Sequence, residues 1–320
     1  MKLFEHPDFG QAILRATEHF RHQGLRPAII EKDYYVTEVL RIIAGTAGDK
    51  TIFKGGTSLA KGWNLIQRFS EDIDIFLDPL SFKPALGKRA IDRETKKLRD
   101  AISAHPALTL LTDEGQTIGG FGRSDRFSYF QQFSGPGEVA NRILVESGTA
   151  SGREPTAIVE LRSYLSQFLQ DNDHSLGADD EGAFPLRLLH FRRTFVEKMF
   201  AIHGKVELLK RERQALGSYA RHYYDLFQLA AQKDVVVMLQ SDEYAEIKAD
   251  YDKISCTHFR RSYFHPDEMR FAKSDALFPP AELAAAISAE YQTQCRMLCY
   301  GPYPSWAEIQ ARLLELRDLL

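Results

Sequence analysis

The stretch from Lys54 to Ile75, KGGTSLAKGWNLIQRFSEDIDI, limits what this chain can fold into more than any other part of it. Thr51-Ile52-Phe53 is a short apolar run of β-favouring residues, and Gly55-Gly56 punctuates it. Leu59, Trp63 and Ile66 then recur at helical spacing. Beyond Arg68-Phe69-Ser70, the residues Ile73, Ile75 and Leu77 alternate with Asp72, Asp74 and Phe76. The order read from this is strand, tight turn, helix, strand. Successive side chains of a strand point to opposite faces, so Asp72 and Asp74 share one.

Two carboxylates side by side repel each other unless a hard cation sits between them, and Mg²⁺ prefers oxygen ligands together with substrate phosphates. Gly55 and Gly56 let the backbone turn sharply and approach a ligand closely. Thr57 and Ser58 add hydroxyls that either cap the helix or meet a phosphate, at a helix start that attracts anions. A bare D-x-D is common on solvated strands and carries little. Joined to GGTS in this order, it points to metal-assisted phosphoryl transfer.

The chain resembles the AbiEii/AbiGii-type toxin family within the DNA polymerase β-like nucleotidyltransferase superfamily. The likeness rests on EKDYYVTEVL at Glu31 to Leu40, FKGGTSLAKGW at Phe53 to Trp63, RFSEDIDIFL at Arg68 to Leu77, FVEKMFA at Phe195 to Ala201 and ARHYYDLFQL at Ala220 to Leu229. It covers roughly the first 230 residues. It implies an α+β fold, with an N-terminal nucleotidyltransferase domain built on a mixed, largely antiparallel sheet flanked by helices. With the polar, acidic stretch QDNDHSLGADDEGAF read as a loop, the division expected is 1–170 for that domain, 171–185 for the linker and 186–320 for a helical domain that closes the active-site groove.

The same resemblance implies site roles. Asp72 and Asp74 are the main metal ligands, with Glu146 completing the set around Mg²⁺, or Mn²⁺ in its place. Lys198 contacts the triphosphate and Asp225 lies on the helix that closes the groove, giving Asp72, Asp74, Lys198 and Asp225 as the catalytic group. From the residues themselves, Gly55, Gly56, Thr57 and Ser58 are the expected phosphate-binding turn, and Arg68, adjoining the aspartate strand, is expected to bind phosphate, with a purely structural role as its alternative. The implied activity moves a nucleoside monophosphate from an NTP to an RNA acceptor, foremost the tRNA 3′ end, and releases pyrophosphate. The implied partner is a cognate antitoxin. Nucleotidylation of a protein or small molecule is the competing activity, and a non-catalytic nucleotide- or RNA-binding module the competing class.

Several residues carry two readings. Glu160, in AIVELRSYL, competes with Glu146 for the third carboxylate. The alternative for Lys198 is a snorkelling surface lysine, and for Asp225 a cap or a partner of Arg221 at i−4. Lys61 serves either a phosphate or the structure alone. Tyr223 and Tyr224 either stack on a base or fill the core.

At 320 residues, with 44% hydrophobic and 27% charged residues, the chain is an ordinary globular sequence long enough for two subdomains. A net charge of −3 excludes a basic nucleic-acid binder as a whole, yet Arg187 to His222 holds nine basic residues against three acidic ones. Cys256, Cys295 and Cys299 lack a zinc-ligand spacing and read as reduced thiols. MKLFEHPDFG has no apolar signal core and no run approaches a membrane span, so the expected location is cytoplasmic. Helices are expected over 8–23, 27–46, Leu86 to His105, Leu186 to His203, Lys205 to Leu216, Tyr219 to Gln232, Ala281 to Leu298 and Ser305 to Leu320. DRFSYFQQF and RILVES are expected to pair as a hairpin around the turn SGPGEVAN. Ile309, Leu313, Leu316 and Leu320 form a stripe that suits either a core or a partner.

Overall fold

The computed structural model describes every residue except 71, 135–138 and 261–262. By its internal contacts the chain divides into two units: Met1–Gly62 with Phe69–Leu189, and Trp63–Arg68 with His190–Leu320.

The first unit holds a mixed, largely antiparallel sheet. Its strands are β1 (Thr51–Lys54), β2 (Asp72–Leu77), β3 (Thr109–Leu110), β4 (Gln116–Ile118), β5 (Gly122–Ser128), β6 (Arg142–Gly148), β7 (Thr156–Leu161) and β8 (Phe184–Leu189), in the order β3-β5-β6-β2-β1-β8-β7 with β4 on β5. Among the described residues, only β2 with β6 and β1 with β8 run parallel. The helices are α1 (Phe9–His19), α2 (Pro27–Ala47), α3 (Gly55–Lys61), α4 (Lys88–Ser103) and α5 (Tyr164–Asp171). Pro27 opens α2 at a position where its missing N–H costs nothing. Phe53, Ile73, Ile75, Phe127, Ile143 and Val145 share one buried face of the sheet, and Ile30, Val39, Leu40 and Ile43 of α2 are buried as well; Ile52 packs on the other face with Phe76 and Leu189.

The pattern that buries Ile73 and Ile75 leaves Asp72 and Asp74 half-buried on the opposite face of β2. The expected hairpin forms as β5 paired antiparallel with β6. Of the turn expected between them, 135–138 lie outside the described residues.

The second unit is helical: α6 (Phe191–Glu212), α7 (His222–Ala230), α8 (Lys233–Leu239), α9 (Asp242–His258), α10 (Ala281–Leu298) and α11 (Trp306–Glu315). Here two expectations are corrected. Leu186 to His203 is not one helix, because FPLRLL alternates buried and exposed residues as β8 between β1 and β7, and the helix starts only after His190, whose ring accepts the Arg192 N–H as its cap. Once begun, that helix runs unbroken to Glu212, absorbing most of the separate helix expected from Lys205. Ile309, Leu313, Leu316 and Leu320 are all buried, so the C-terminal stripe is core. Among the described residues, no helix is long and apolar enough to cross a membrane.

Candidate functional site

In the first unit the site is built by strand register. Antiparallel pairing of β1 with β2 sets Lys54 opposite Asp74, and parallel pairing of β2 with β6 sets Asp74 beside Glu146 and Asp72 beside Leu144. Directly opposed residues on neighbouring strands share a face. Asp72, Asp74 and Glu146 therefore stand on one face of two adjacent strands. Glu160, by contrast, is exposed on the edge strand β7, with β1 and β8 between it and β2. Of the two candidates, only Glu146 neighbours the aspartate pair.

Burial pushes the Glu146 carboxyl up, and the charges of Asp74 and Asp72 push it further, while Lys54 and Arg126 pull it back. Three carboxylates held this close repel one another without a cation. Among the described residues no three histidine, cysteine, aspartate or glutamate side chains converge as a ready-made metal cage. Mg²⁺ does not require one, since it is held by one or two carboxylates, water and substrate phosphates. The oxygen-only donor set and its mutual repulsion fit such an ion.

Asp78, the residue that follows β2, is excluded from this set. Its buried carboxylate accepts from the Leu80 N–H, the Ser81 hydroxyl and the Arg153 guanidinium.

The glycine turn lies against the aspartates. Gly55 has φ of +77° at the β1–α3 junction, and a Cβ there would sit 1.9 Å from Asp74 Oδ2. Position 55 thus needs glycine twice, for its left-handed backbone and for the carboxylate above it. Gly55→Ala is expected to cost roughly 1–3 kcal/mol of stability through backbone strain alone. It should also displace Asp74, so any metal-dependent activity should fall further than stability does. Urea unfolding beside an activity assay checks this, and wild-type behaviour in both would rule the account out.

Thr57 and Ser58 face inward. The Thr57 hydroxyl donates to the Asp72 carbonyl at 2.5 Å and the Ser58 hydroxyl to the Gly55 carbonyl at 2.9 Å. Neither caps α3, whose N-cap is Lys54 without a side-chain cap bond. Thr57 instead ties the start of α3 to the start of the aspartate strand. Lys61 at the other end of α3 reaches Asp33 at 2.5 Å and the Arg162 carbonyl, a structural anchor to α2. The EKDYY segment has the same character, with buried Glu31 accepting the Gln132 and Phe133 N–H groups.

The expected helix over Leu59 to Ile66 stops at Lys61. Gly62 caps it, Asn64 has positive φ, and Trp63 belongs to the second unit, where it packs on His190 and Phe191.

In the second unit Arg68, Lys198 and Asp225 meet. The Arg68 guanidinium, 2% exposed, donates to both oxygens of the fully buried Asp225, at 2.6 and 2.7 Å. The Lys198 ammonium, 5% exposed, lies 2.7 Å from Asp225 Oδ2 and 3.1 Å from His222 Nδ1. Burial works against the charge on Asp225, but Arg68 and Lys198 hold its carboxyl well below the usual range. Burial, then the Lys198 charge, pushes the His222 imidazole down to about 3, so it is neutral and its Nδ1 accepts from the ammonium. Burial also lowers Lys198, against the pull of Asp225.

Arg68 and Lys198 thus meet on the one carboxylate of Asp225, deep in the second unit. Lys198 is not a snorkelling surface lysine: it and Arg68 both pair with Asp225, and His222 Nδ1 lies 3.6 Å from the same carboxylate.

Other candidates resolve as structure. Tyr223 and Tyr224 are both buried, the first donating to the Ala276 carbonyl and the second accepting the Gln67 N–H, so neither is a base-stacking platform. His203 pairs with Ser274. The basic run from Arg187 to His222 is largely neutralised, since Arg187, Arg192, Arg193, Lys198, Lys210 and Arg211 all meet carboxylates. Cys256, Cys295 and Cys299 are free thiols.

None of the curated proteins compared matches the chain. Among solved structures it is similar to MenT4, a nucleotidyltransferase toxin from Mycobacterium tuberculosis H37Rv, with a TM-score of 0.51 and 18% identity over 95% of this chain and 89% of that one. At that identity the likeness is one of fold. A family model described as the nucleotidyl transferase AbiEii toxin of a type IV toxin–antitoxin system matches residues 39–312. Gly55, Arg68, Asp72, Asp74, Glu146, Lys198 and Asp225 all fall within that span, and the chain belongs to the nucleotidyl transferase AbiEii toxin family.

Proposed function

We propose that this toxin is a Mg²⁺-dependent nucleotidyltransferase that moves a nucleoside monophosphate from an NTP to an RNA hydroxyl, the tRNA 3′ end foremost, with release of pyrophosphate. The observation that carries the nucleotide and metal part is the row of Asp74 and Glu146, with Asp72 on the same face, lying against the Gly55 turn. Asp72, Asp74 and Glu146 hold the ion, and Mn²⁺ is expected to substitute. When bound, such an ion supplies charge neutralisation at the triphosphate and acidifies the attacking hydroxyl.

The chain's own residues do the rest. Because the Thr57 and Ser58 hydroxyls are engaged with carbonyls, the Gly55 to Ser58 turn meets phosphate through its main-chain N–H groups. On the family likeness, Lys198 contacts the triphosphate, and Arg68, by its place just before the aspartate strand in the sequence, is a further phosphate ligand. Asp225 orients both cations and keeps them charged. The proposed division keeps 1–170 as the carboxylate-bearing part and 186–320 as a second part that is helical from Phe191 onward. A cognate antitoxin is the protein partner.

The RNA acceptor rests on the family, because most of the basic run is paired internally. That pairing favours a second reading, in which the acceptor is a protein or small molecule. Purified protein incubated with Mg²⁺, each α-labelled NTP and total tRNA, beside an Asp72→Ala/Asp74→Ala control, separates the two. Label on RNA that requires the aspartates supports the first reading. Label on protein or a small molecule establishes the second, and binding of nucleotide with no transfer to any acceptor would reduce the chain to a binding module.

A further inference from the structure

We propose that Lys54 is a phosphate ligand of the nucleotide site, an ammonium on β1 that offsets the carboxylate charge when no divalent cation is present and turns to the triphosphate when one is. This rests on the reading of Asp72, Asp74 and Glu146 as an NTP and metal site.

The argument is one of register. Lys54, Asp74 and Glu146 are successive partners across β1, β2 and β6, so they form a single row on one face of the sheet, with opposed Cβ atoms about 4.5–5.5 Å apart. Lys54 is also the residue immediately before Gly55, at the joint between the carboxylate row and the phosphate-sized turn. A triphosphate that reaches from the turn to the carboxylates passes this joint. Lysine binds phosphate as a point charge on a flexible stem, which suits a group that shifts between a carboxylate and a phosphate oxygen.

A lysine that only stabilises the sheet makes a different prediction from one that belongs to the site. Removing the charge at fixed length, as Lys54→Met, deletes a charge-assisted contact to phosphate and should weaken binding of NTP about tenfold to a hundredfold. The same change removes a positive charge beside the cation site, so Mn²⁺ alone should bind about threefold to tenfold more tightly. Lys54→Arg keeps the charge and should stay within a few-fold of wild type for both.

The experiment is calorimetric titration of wild type, Lys54→Met and Lys54→Arg with Mn²⁺ alone and with each NTP, beside thermal unfolding of all three. Opposite changes for Mn²⁺ and NTP in Lys54→Met, with Lys54→Arg near wild type, support the assignment. Unchanged NTP binding in Lys54→Met overturns it, as does parallel loss of both ligands with a lowered unfolding temperature. If wild-type protein binds no NTP, the nucleotide reading itself falls and this inference with it, an outcome visible before any variant is compared.

Discussion

Asp74→Ala is expected to abolish nucleotide transfer while leaving the protein at least as stable as wild type. Asp74 is the middle of the carboxylate row, in register with Lys54 on one side and Glu146 on the other. Losing a metal ligand there removes electrostatic stabilisation of the transferring phosphoryl group, and a loss of about 4 kcal/mol corresponds to roughly a thousandfold in rate. Stability should move the other way. Glu146 has its carboxyl raised by burial and by the Asp74 and Asp72 charges, and an acid whose folded pKa is raised costs stability once pH exceeds its ordinary value. Deleting Asp74 relieves that repulsion, so the metal-free variant should melt at or above the wild-type temperature. Added Mg²⁺ should stabilise wild type more than the variant. Single-turnover transfer assays and thermal scans with and without Mg²⁺ test both halves. A variant that is inactive because it is unfolded, or active at the wild-type rate, would each refute the assignment.

That site was legible in the sequence because its parts are local. Strand, glycine turn, helix and aspartate strand lie within one stretch, and the period-2 pattern of DIDIFL alone sets Asp72 and Asp74 on one face. The choice between Glu146 and Glu160 was not legible, since both sit on β-favouring runs and only strand order separates them. Lys54 was missed for the same reason: its relation to Asp74 exists only once β1 is paired with β2. No signal in the local pattern could have ranked it above Lys61, which proves to be an anchor to Asp33. β8 was misread because LRLL fits a buried strand and a helix start equally, and the partner strands that decide the matter come from residues 51–54 and 156–161. Arg68 and Asp225 are 157 residues apart, so their pairing lay beyond any reading of i,i+4 neighbours, which offered Arg221 instead. The family likeness singled out Lys198 and Asp225 but said nothing of the Arg68 contact.

Asp225→Ala is expected to be the most destabilising single change in the second unit. It leaves the Arg68 guanidinium and the Lys198 ammonium buried around an empty position, and breaking a buried ion pair from one side costs about 3–5 kcal/mol. The two cations respond differently. Lys198 is already lowered by burial and escapes by losing its proton, whereas a guanidinium stays charged. Most of the cost therefore falls on Arg68, and Arg68→Met added to Asp225→Ala should recover a large part of it, while Arg68→Met alone should cost less than Asp225→Ala because Lys198 remains to pair the carboxylate. The pH profile separates the contributors by sign. His222 and His190 are held down to about 3 and about 4 by burial, so they are neutral in the folded protein and charge on unfolding. Below about pH 6.5 the unfolded chain binds those protons first, and each histidine withdraws stability at up to about 1.4 kcal/mol per pH unit until its folded value is reached. Asp225 acts in a lower window. Its carboxyl is depressed in the fold, so its contribution is intact above the ordinary aspartate value near 3.9 and is lost only as pH falls toward the folded one. Urea unfolding of wild type and Asp225→Ala from pH 7.5 to 3 should show a shared fall beginning near 6.5, with the loss below 4 steeper in wild type than in the variant. A variant as stable as wild type at pH 7 would show that the buried cluster is not held together by Asp225.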